Sequence, residues 1–144
     1  MLSVGEVAGV LGLRSRRQET WSVTAFMDRI KDGLPVGAVE RVARLLAPAD
    51  VQFKYQIVPK ATYERRKKGT RGLTLEEGSK LARVANVWSV ALEVWKSDDE
   101  ARGFLFRPHA MIADRRPIDV VIESEFGADA VADILNGLKY GTAP

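Results

Sequence analysis

The sequence predicts an all-α protein. Three observations carry that reading: apolar residues recur at helical spacing along almost the whole chain, prolines and glycines mark the ends of most of those runs, and no convincing hairpin joins any two of them. The stretch Ile118 to Ile122 is the one place where a buried strand fits as well as a helix. With 144 residues, 46% of them hydrophobic, the chain can form one compact unit or two small helical modules sharing a core.

The elements follow in order. Val4, Val7, Val10 and Leu11 share a helical face, and the cluster Arg14, Arg16, Arg17 after them reads as a solvated linker or as an arm on a nucleic-acid backbone. Val23, Phe26, Met27 and Ile30 give an amphipathic helix over 21–31, stopped by Gly33 and Pro35. Pro35 opens a second helix with Val39, Val42, Leu45 and Leu46 on one face, ended by Pro48. Asp50 can cap a short helix over 51–55, although Val51, Phe53 and Tyr55 also fit the period of a strand. Pro59 suits the first turn of a helix over 60–68, which Gly69 and Gly72 terminate. A long helix spans 74–95, with Glu76 and Glu77 in its first turn favouring the helix dipole. Ser97 caps a helix over 98–106, a loop occupies 107–116, and Pro117 starts a helix with Ile118, Val121 and Ile122 inward. Gly127 is expected to break the chain before a last helix over 128–138.

Charge is distributed unevenly. Lys60, Arg65, Arg66, Lys67, Lys68 and Arg71 face a single acid, Glu64, whereas Asp119, Glu123, Glu125, Asp129 and Asp133 crowd the C-terminal stretch against Lys139. A formal net charge of +3 therefore conceals two ends suited to different partners. No cysteine is present, so disulfides, thiolate metal sites and cysteine nucleophiles are excluded. The N-terminus lacks a signal-peptide pattern and no apolar run approaches a membrane span of ~18 residues, which sets the expectation of a soluble, cytoplasmic protein. His109 is the only histidine, and the glycines form no phosphate-binding loop. No catalytic residue, metal site or cofactor is expected.

The segment 51–68 carries the clearest chemistry: two short helices with a tight connection, in the order of a helix-turn-helix unit whose second helix enters the major groove. Lys60, Arg65, Arg66, Lys67 and Lys68 can neutralise phosphates, and Thr62 and Tyr63 add short polar and apolar reach. A solvated basic helix end is the plainer alternative, since cations there also stabilise the dipole. Trp88 and Trp95 lie seven residues apart on one face of the long helix. With Leu92 they fit either the core or a homodimer seam, as a paired helix-turn-helix needs a two-fold axis.

From Leu34 onward the order of motifs resembles the Xre/ParS-type antitoxins, partners of RES-domain toxins in type II toxin–antitoxin modules. The resemblance rests on Gly33-Leu34-Pro35-Val36, Pro59-Lys60-Ala61-Thr62-Tyr63-Glu64-Arg65-Arg66-Lys67 and Leu73-Thr74-Leu75-Glu76-Glu77-Gly78-Ser79-Lys80-Leu81. It continues through Glu100-Ala101-Arg102-Gly103-Phe104-Leu105, Pro108, Arg116-Pro117-Ile118, and Gly127 with Val131, Leu135 and Leu138-Lys139-Tyr140-Gly141. The family often has glycine in the turn before the recognition helix, where this chain reads Tyr55-Gln56-Ile57-Val58. A left-handed glutamine there costs on the order of 1 kcal/mol relative to glycine, so a reshaped turn is expected.

The resemblance implies an N-terminal helical extension over 1–33, an Xre-like DNA-binding and dimerisation domain over 34–96, and a toxin-binding domain over 97–144. It implies operator DNA and a RES toxin as partners. Such toxins consume NAD, which this chain would not itself bind. The stripe Val131, Ile134, Leu135, Leu138 would serve partly as core and partly as interface. Beyond it, Lys139-Tyr140-Gly141 would form a mobile tail anchored in the toxin by Tyr140. An antitoxin without DNA affinity and a stand-alone transcription regulator are the alternative readings.

Overall fold

The computed structural model describes residues 4–14 and 20–141, which fold into nine α-helices and one 3₁₀ turn. The described residues contain no strand beyond one isolated bridge between His109 and Arg115. The fold is all-α. Arg14 is exposed, while Arg16 and Arg17 of the expected basic arm lie outside the described residues.

Helix α1 (Val4–Val10) buries Val7 and Ala8 against the rest of the molecule. Its C-terminal carbonyls are covered by Arg41, whose guanidinium donates to Val10 O at 3.1 Å and Gly9 O at 3.4 Å. Helix α2 (Val23–Asp32) starts at Ser22, whose hydroxyl accepts from the Ala25 amide, and ends at Gly33 in a left-handed conformation, φ 108°. The strand-like segment after it runs beside the one before the long helix, with Leu73 N donating to Leu34 O at 2.8 Å. Gly72 allows that approach, because a Cβ there would lie 2.6 Å from Leu34 O.

Helix α3 (Gly37–Leu46) turns Ala38, Val39, Val42, Ala43 and Leu46 inward. Helix α4 (Lys54–Ile57) starts three residues later than the apolar pattern suggests. Residues 51–53 form a turn instead, held by the Gln52 amide donating to Asp50 Oδ1 at 2.9 Å. Phe53 is fully buried and Val51 points to solvent, so the two do not share a face as a strand requires. Helix α5 (Lys60–Lys68) follows after only Val58 and Pro59, both extended. No residue of that turn is left-handed, so the expected penalty at Gln56 does not arise: Gln56 lies inside α4.

Helix α6 (Leu75–Trp95) is the spine. Thr74 and Glu77 close a reciprocal capping box at its start, each side chain meeting the other's backbone amide. Gly78, Leu81, Val84, Ala85, Val87, Trp88 and Ala91 are buried around most of its circumference, as expected of a helix surrounded by others. A left-handed Lys96 and the Ser97 cap lead into α7 (Asp98–Leu105). The segment 118–122 is helical, lying in α8 (Pro117–Glu123) with Pro117 at its first turn.

Helix α9 (Glu125–Lys139) follows after a single residue, Ser124, whose hydroxyl accepts from Gly127 N. The chain therefore breaks at Ser124 and not at Gly127, which sits in the first turn of α9. Its role is close approach. A Cβ on Gly127 would fall 1.9 Å from Val120 O, so only glycine lets α8 and α9 cross this tightly.

One contiguous apolar cluster runs from Leu34, Val42 and Ile57 through Leu81 and Trp88 to Leu105, Val121 and Leu135. The segments on either side of Lys96 thus share a single core through α6. Two half-buried arginines stitch them further: Arg102 on α7 donates to Leu45 O at 2.8 Å, and Arg83 on α6 donates to Val121 O and Ile122 O at 2.7 and 2.6 Å. Among the described residues no helix is long and apolar enough to cross a membrane.

Candidate functional site

Two outward helix faces of opposite charge remain once the core is assigned. The first is α5. Its side chains divide by helical position: Ala61, Arg65 and Lys68 point to solvent, Lys60 and Lys67 flank them, and Thr62 is half-buried. Arg65 and Lys68 take part in no ion pair among the described residues, whereas Arg66 does.

Two of the expected DNA-contacting residues face the other way. Tyr63 is only 2% exposed, and its hydroxyl donates to Glu40 Oε2 at 2.8 Å. Arg66 turns toward α6, its Nε 2.9 Å from Glu77 Oε1, although the N–H itself is not aimed along that line. Both side chains therefore hold α5 in place. The reason is periodicity: positions 63 and 66 share the face turned toward α3 and α6, while 61, 65 and 68 lie opposite.

Glu40 on α3 organises this bracing. Besides Tyr63 it meets Arg44 Nη2 at 3.3 Å and Lys54 Nζ at 3.6 Å. The Tyr63 hydrogen bond, then the Lys54, Arg44 and Lys67 cations, hold the Glu40 carboxyl below its usual range against a smaller opposing effect of burial. Burial first and Glu40 second push the Tyr63 phenol up to about 12. Lys54 also sits over the rings of Tyr55 and Tyr63, at 5.4 and 5.1 Å, and those rings meet edge-on at 5.8 Å.

Beside α5 lies an open basin of about 480 Å³, between the start of α3 and the loop 69–72. Arg29, Arg66, Lys67 and Arg71 make it basic, with Glu40 as the opposing charge. Arg29 was not legible as part of this surface, because it comes from a helix thirty-odd residues upstream. It reaches the basin by donating to Gly33 O at 2.8 Å.

The second face belongs to α9. Val131 and Leu135, expected at an interface, are fully buried, as α9 packs on α6 and α8. Leu138 is half-buried and lines a groove of about 520 Å³ with Trp95, Phe104, Pro108 and His109. Lys139 is still helical and ion-paired to Glu93 on α6, which lowers the glutamate and raises the lysine pKa. Tyr140 N donates to Asn136 O, so the expected mobile tail is a helix end at that point. The Tyr140 ring is 69% exposed. Phe126, at 86% exposed, was not anticipated: it falls off the inward stripe, and no motif draws attention to it.

The tryptophans separate. Trp88 is 1% exposed, with the Arg102 guanidinium 5.7 Å from its ring, so the dimer-seam alternative does not hold for it. Leu92 and Trp95 are half-buried, and Trp95 packs at 6.1 Å on Phe104. Trp95 and Leu138, assigned to different roles from sequence, share one groove.

Together these features define a helix-turn-helix protein with an appended helical unit that shares its core. Two family models match consecutive parts of the chain: the antitoxin Xre-like helix-turn-helix domain over residues 25–86 and the antitoxin Xre/MbcA/ParS C-terminal toxin-binding domain over 90–141. The chain belongs to the Xre/MbcA/ParS antitoxin family and is a type II antitoxin, built of regulatory and not catalytic domains. No curated protein matches it. The first match begins within α2 and the second within α6, so α6 contributes to both.

Proposed function

We propose that this antitoxin neutralises a RES-domain, NAD-consuming toxin through the segment 97–144 and represses its own operon through the segment 34–96, acting in the cytoplasm as a homodimer. The observation that supports the reading best is the pair of oppositely charged outward faces on one core: Ala61, Arg65 and Lys68 on α5, and Phe126, Asp129, Asp133 and Tyr140 on α9. The RES identity rests on the motifs at 100–105, 116–118 and 127–141.

On this reading Lys60, Arg65, Lys67 and Lys68 hold phosphates, and Thr62 stands at the rim of the contact. Tyr63 and Arg66 fix the angle at which α5 enters the groove. Such phosphate contacts set the register and orientation of α5 on the duplex. Half-sites one helical turn apart require two copies of α5, and Leu92 and Trp95 are the residues of α6 left to form the seam. Tyr140 anchors the toxin, an exposed aromatic being the kind of residue that dominates interface energy. Its mate Lys139 stays bound to Glu93 and does not leave the helix to plug a pocket.

The test is co-expression with the protein encoded beside this chain, which this reading expects to be a RES-domain toxin. The intact chain should restore growth and cellular NAD. A chain truncated after Leu138 should fold yet restore NAD less well, and full restoration would remove Tyr140 from the interface. A toxin left fully active by the intact chain would overturn the RES assignment.

A further inference from the structure

Helix α9 has a face that the core does not use. Phe126, Asp133 and Tyr140 follow one another at seven-residue intervals, which on an α-helix keeps them in line to within ~20° per step. Phe126 is 86% and Tyr140 69% exposed, and Asp129 and Asp133 between them are exposed as well. At ~1.5 Å per residue the two aromatic rings stand about 21 Å apart along the helix.

Scattered exposed apolar residues are ordinary, and Phe126 alone would mean little. Three features set this face apart. Asp129 and Asp133 take part in no ion pair among the described residues, whereas the neighbouring Glu123 and Glu125 are matched to Arg115 and Arg83. Ala130, beside the line, is small and permits a partner's backbone to approach. The inward stripe of the same helix, Val131 and Leu135, is fully buried and so unable to meet a partner.

We propose that this outward face, and not the inward stripe, docks the toxin, and that it takes a basic strip of that protein flanked by two apolar hollows about 21 Å apart. The unpaired acids argue for a cationic partner and against nucleic acid, which they would repel. Aromatic anchors at the two ends fix register, and the acids between them steer the encounter and exclude acidic partners. The proposal rests on the antitoxin reading above and specifies where that reading acts.

The experiment measures binding of the intact chain to the protein encoded beside it, which the antitoxin reading expects to be a RES-domain toxin. Three variants are compared: Phe126→Ala, Tyr140→Ala and the pair Asp129→Lys with Asp133→Lys. All the altered side chains are exposed, so the fold should persist, which circular dichroism and unchanged operator binding verify. Each aromatic variant should weaken binding by about 30-fold or more, mainly through faster dissociation. The charge-reversed pair should associate at least tenfold more slowly, and that deficit should shrink as salt is raised.

If the wild-type chain binds and all three variants bind within twofold of it, the face is wrong while the antitoxin reading stands. If the wild-type chain does not bind at all, the RES reading fails and this proposal with it. Sedimentation of the chain alone completes the test. A homodimer that Phe126→Ala converts to monomers would assign the face to a second copy and overturn the proposal.

Discussion

Replacing Arg65 and Lys68 together with glutamine removes two solvent-facing cations from each α5, hence four from a dimer, without touching Tyr63 or Arg66, which hold the helix. Each phosphate neutralised on duplex DNA contributes roughly −0.9 to the slope of log K against log salt. Four lost contacts should therefore flatten that slope by about 3.6 and, at ~0.15 M salt, lower affinity by roughly a thousandfold. The assay is fluorescence anisotropy with a duplex from upstream of the chain's own gene, titrated from about 50 to about 200 mM salt. Arg66→Gln is the informative contrast. Because Arg66 is paired with Glu77 and mostly buried, its loss should cost stability and leave the slope within about one unit. A double variant with an unchanged slope would show that α5 does not lie on the DNA, whatever happens to the affinity.

Three further outcomes follow from the packing. Gly127→Ala places a methyl 1.9 Å from Val120 O, so α8 and α9 must part, and thermal unfolding should show a loss of at least ~1–3 kcal/mol. Trp88→Ala should cost about 3–5 kcal/mol and lower the unfolding temperature of both halves in one transition, because both draw on the cluster around that ring; two separated transitions would refute the shared core. Tyr63→Phe leaves Glu40 without its shortest hydrogen bond and should cost about 1 kcal/mol, discounted for a carboxylate that is partly exposed. The pH dependence of that variant has a definite sign. Glu40 is depressed in the folded state, so its contribution is present above the ordinary carboxylate range and lost as pH falls through the lowered value. Tyr63, raised to about 12, contributes stability present below pH 10 and lost as pH rises toward 12. Urea titrations across pH should show both limbs flattened in Tyr63→Phe.

The helix ends were legible because they are local. Ser97 and Pro117 carry their chemistry within a few residues, and each capped or opened a helix where expected; the long helix also starts near Thr74 as expected, closed there by the Thr74–Glu77 box. The 51–55 region misled because a period of two over three residues does not separate strand, helix and turn; the Asp50 side chain decided it by bonding the Gln52 amide. Gly127 misled for another reason. Glycine signals a break when only the chain is considered, yet here it answers to Val120 across a helix crossing.

The site residues were harder, since composition says which residues are basic or apolar but not which way they turn. Lys60 to Lys68 reads as one basic stretch, and only the positions of α3 and α6 reveal that Arg66 faces Glu77 and Tyr63 faces Glu40. The stripe on α9 posed the same ambiguity in reverse. An apolar face of four residues serves a core or a partner equally well, and α6 and α8 claimed Val131, Ile134 and Leu135 while leaving Leu138 half-buried. Phe126 then escaped notice because an isolated aromatic off the stripe carries no periodic signal.

That one core serves both faces has a consequence for regulation. Arg102 belongs to the stretch matched by the toxin-binding family, yet its guanidinium covers the last turn of α3 at Leu45 O and stacks over Trp88 of the spine. Leu45 and Glu40 lie on the same helix, and Glu40 holds Tyr63 of α5, the helix proposed above to contact DNA. A partner that shifts α7 by the width of a hydrogen bond must either break the Arg102–Leu45 contact or carry α3 with it. The Arg102 side chain is 25% exposed and also pairs with Asp98 and Asp99. Losing Leu45 O therefore costs about 1 kcal/mol, at the low end of the coupling energies by which one ligand alters affinity for another. Arg102→Leu is the variant that isolates this route, because it keeps apolar cover on Trp88 while removing the contact with α3. It should leave each partner's separate binding within a fewfold of wild type and abolish any change in operator affinity that the toxin produces. If toxin binding alters operator affinity equally in Arg102→Leu, the coupling runs through the body of α6 and not through this arginine.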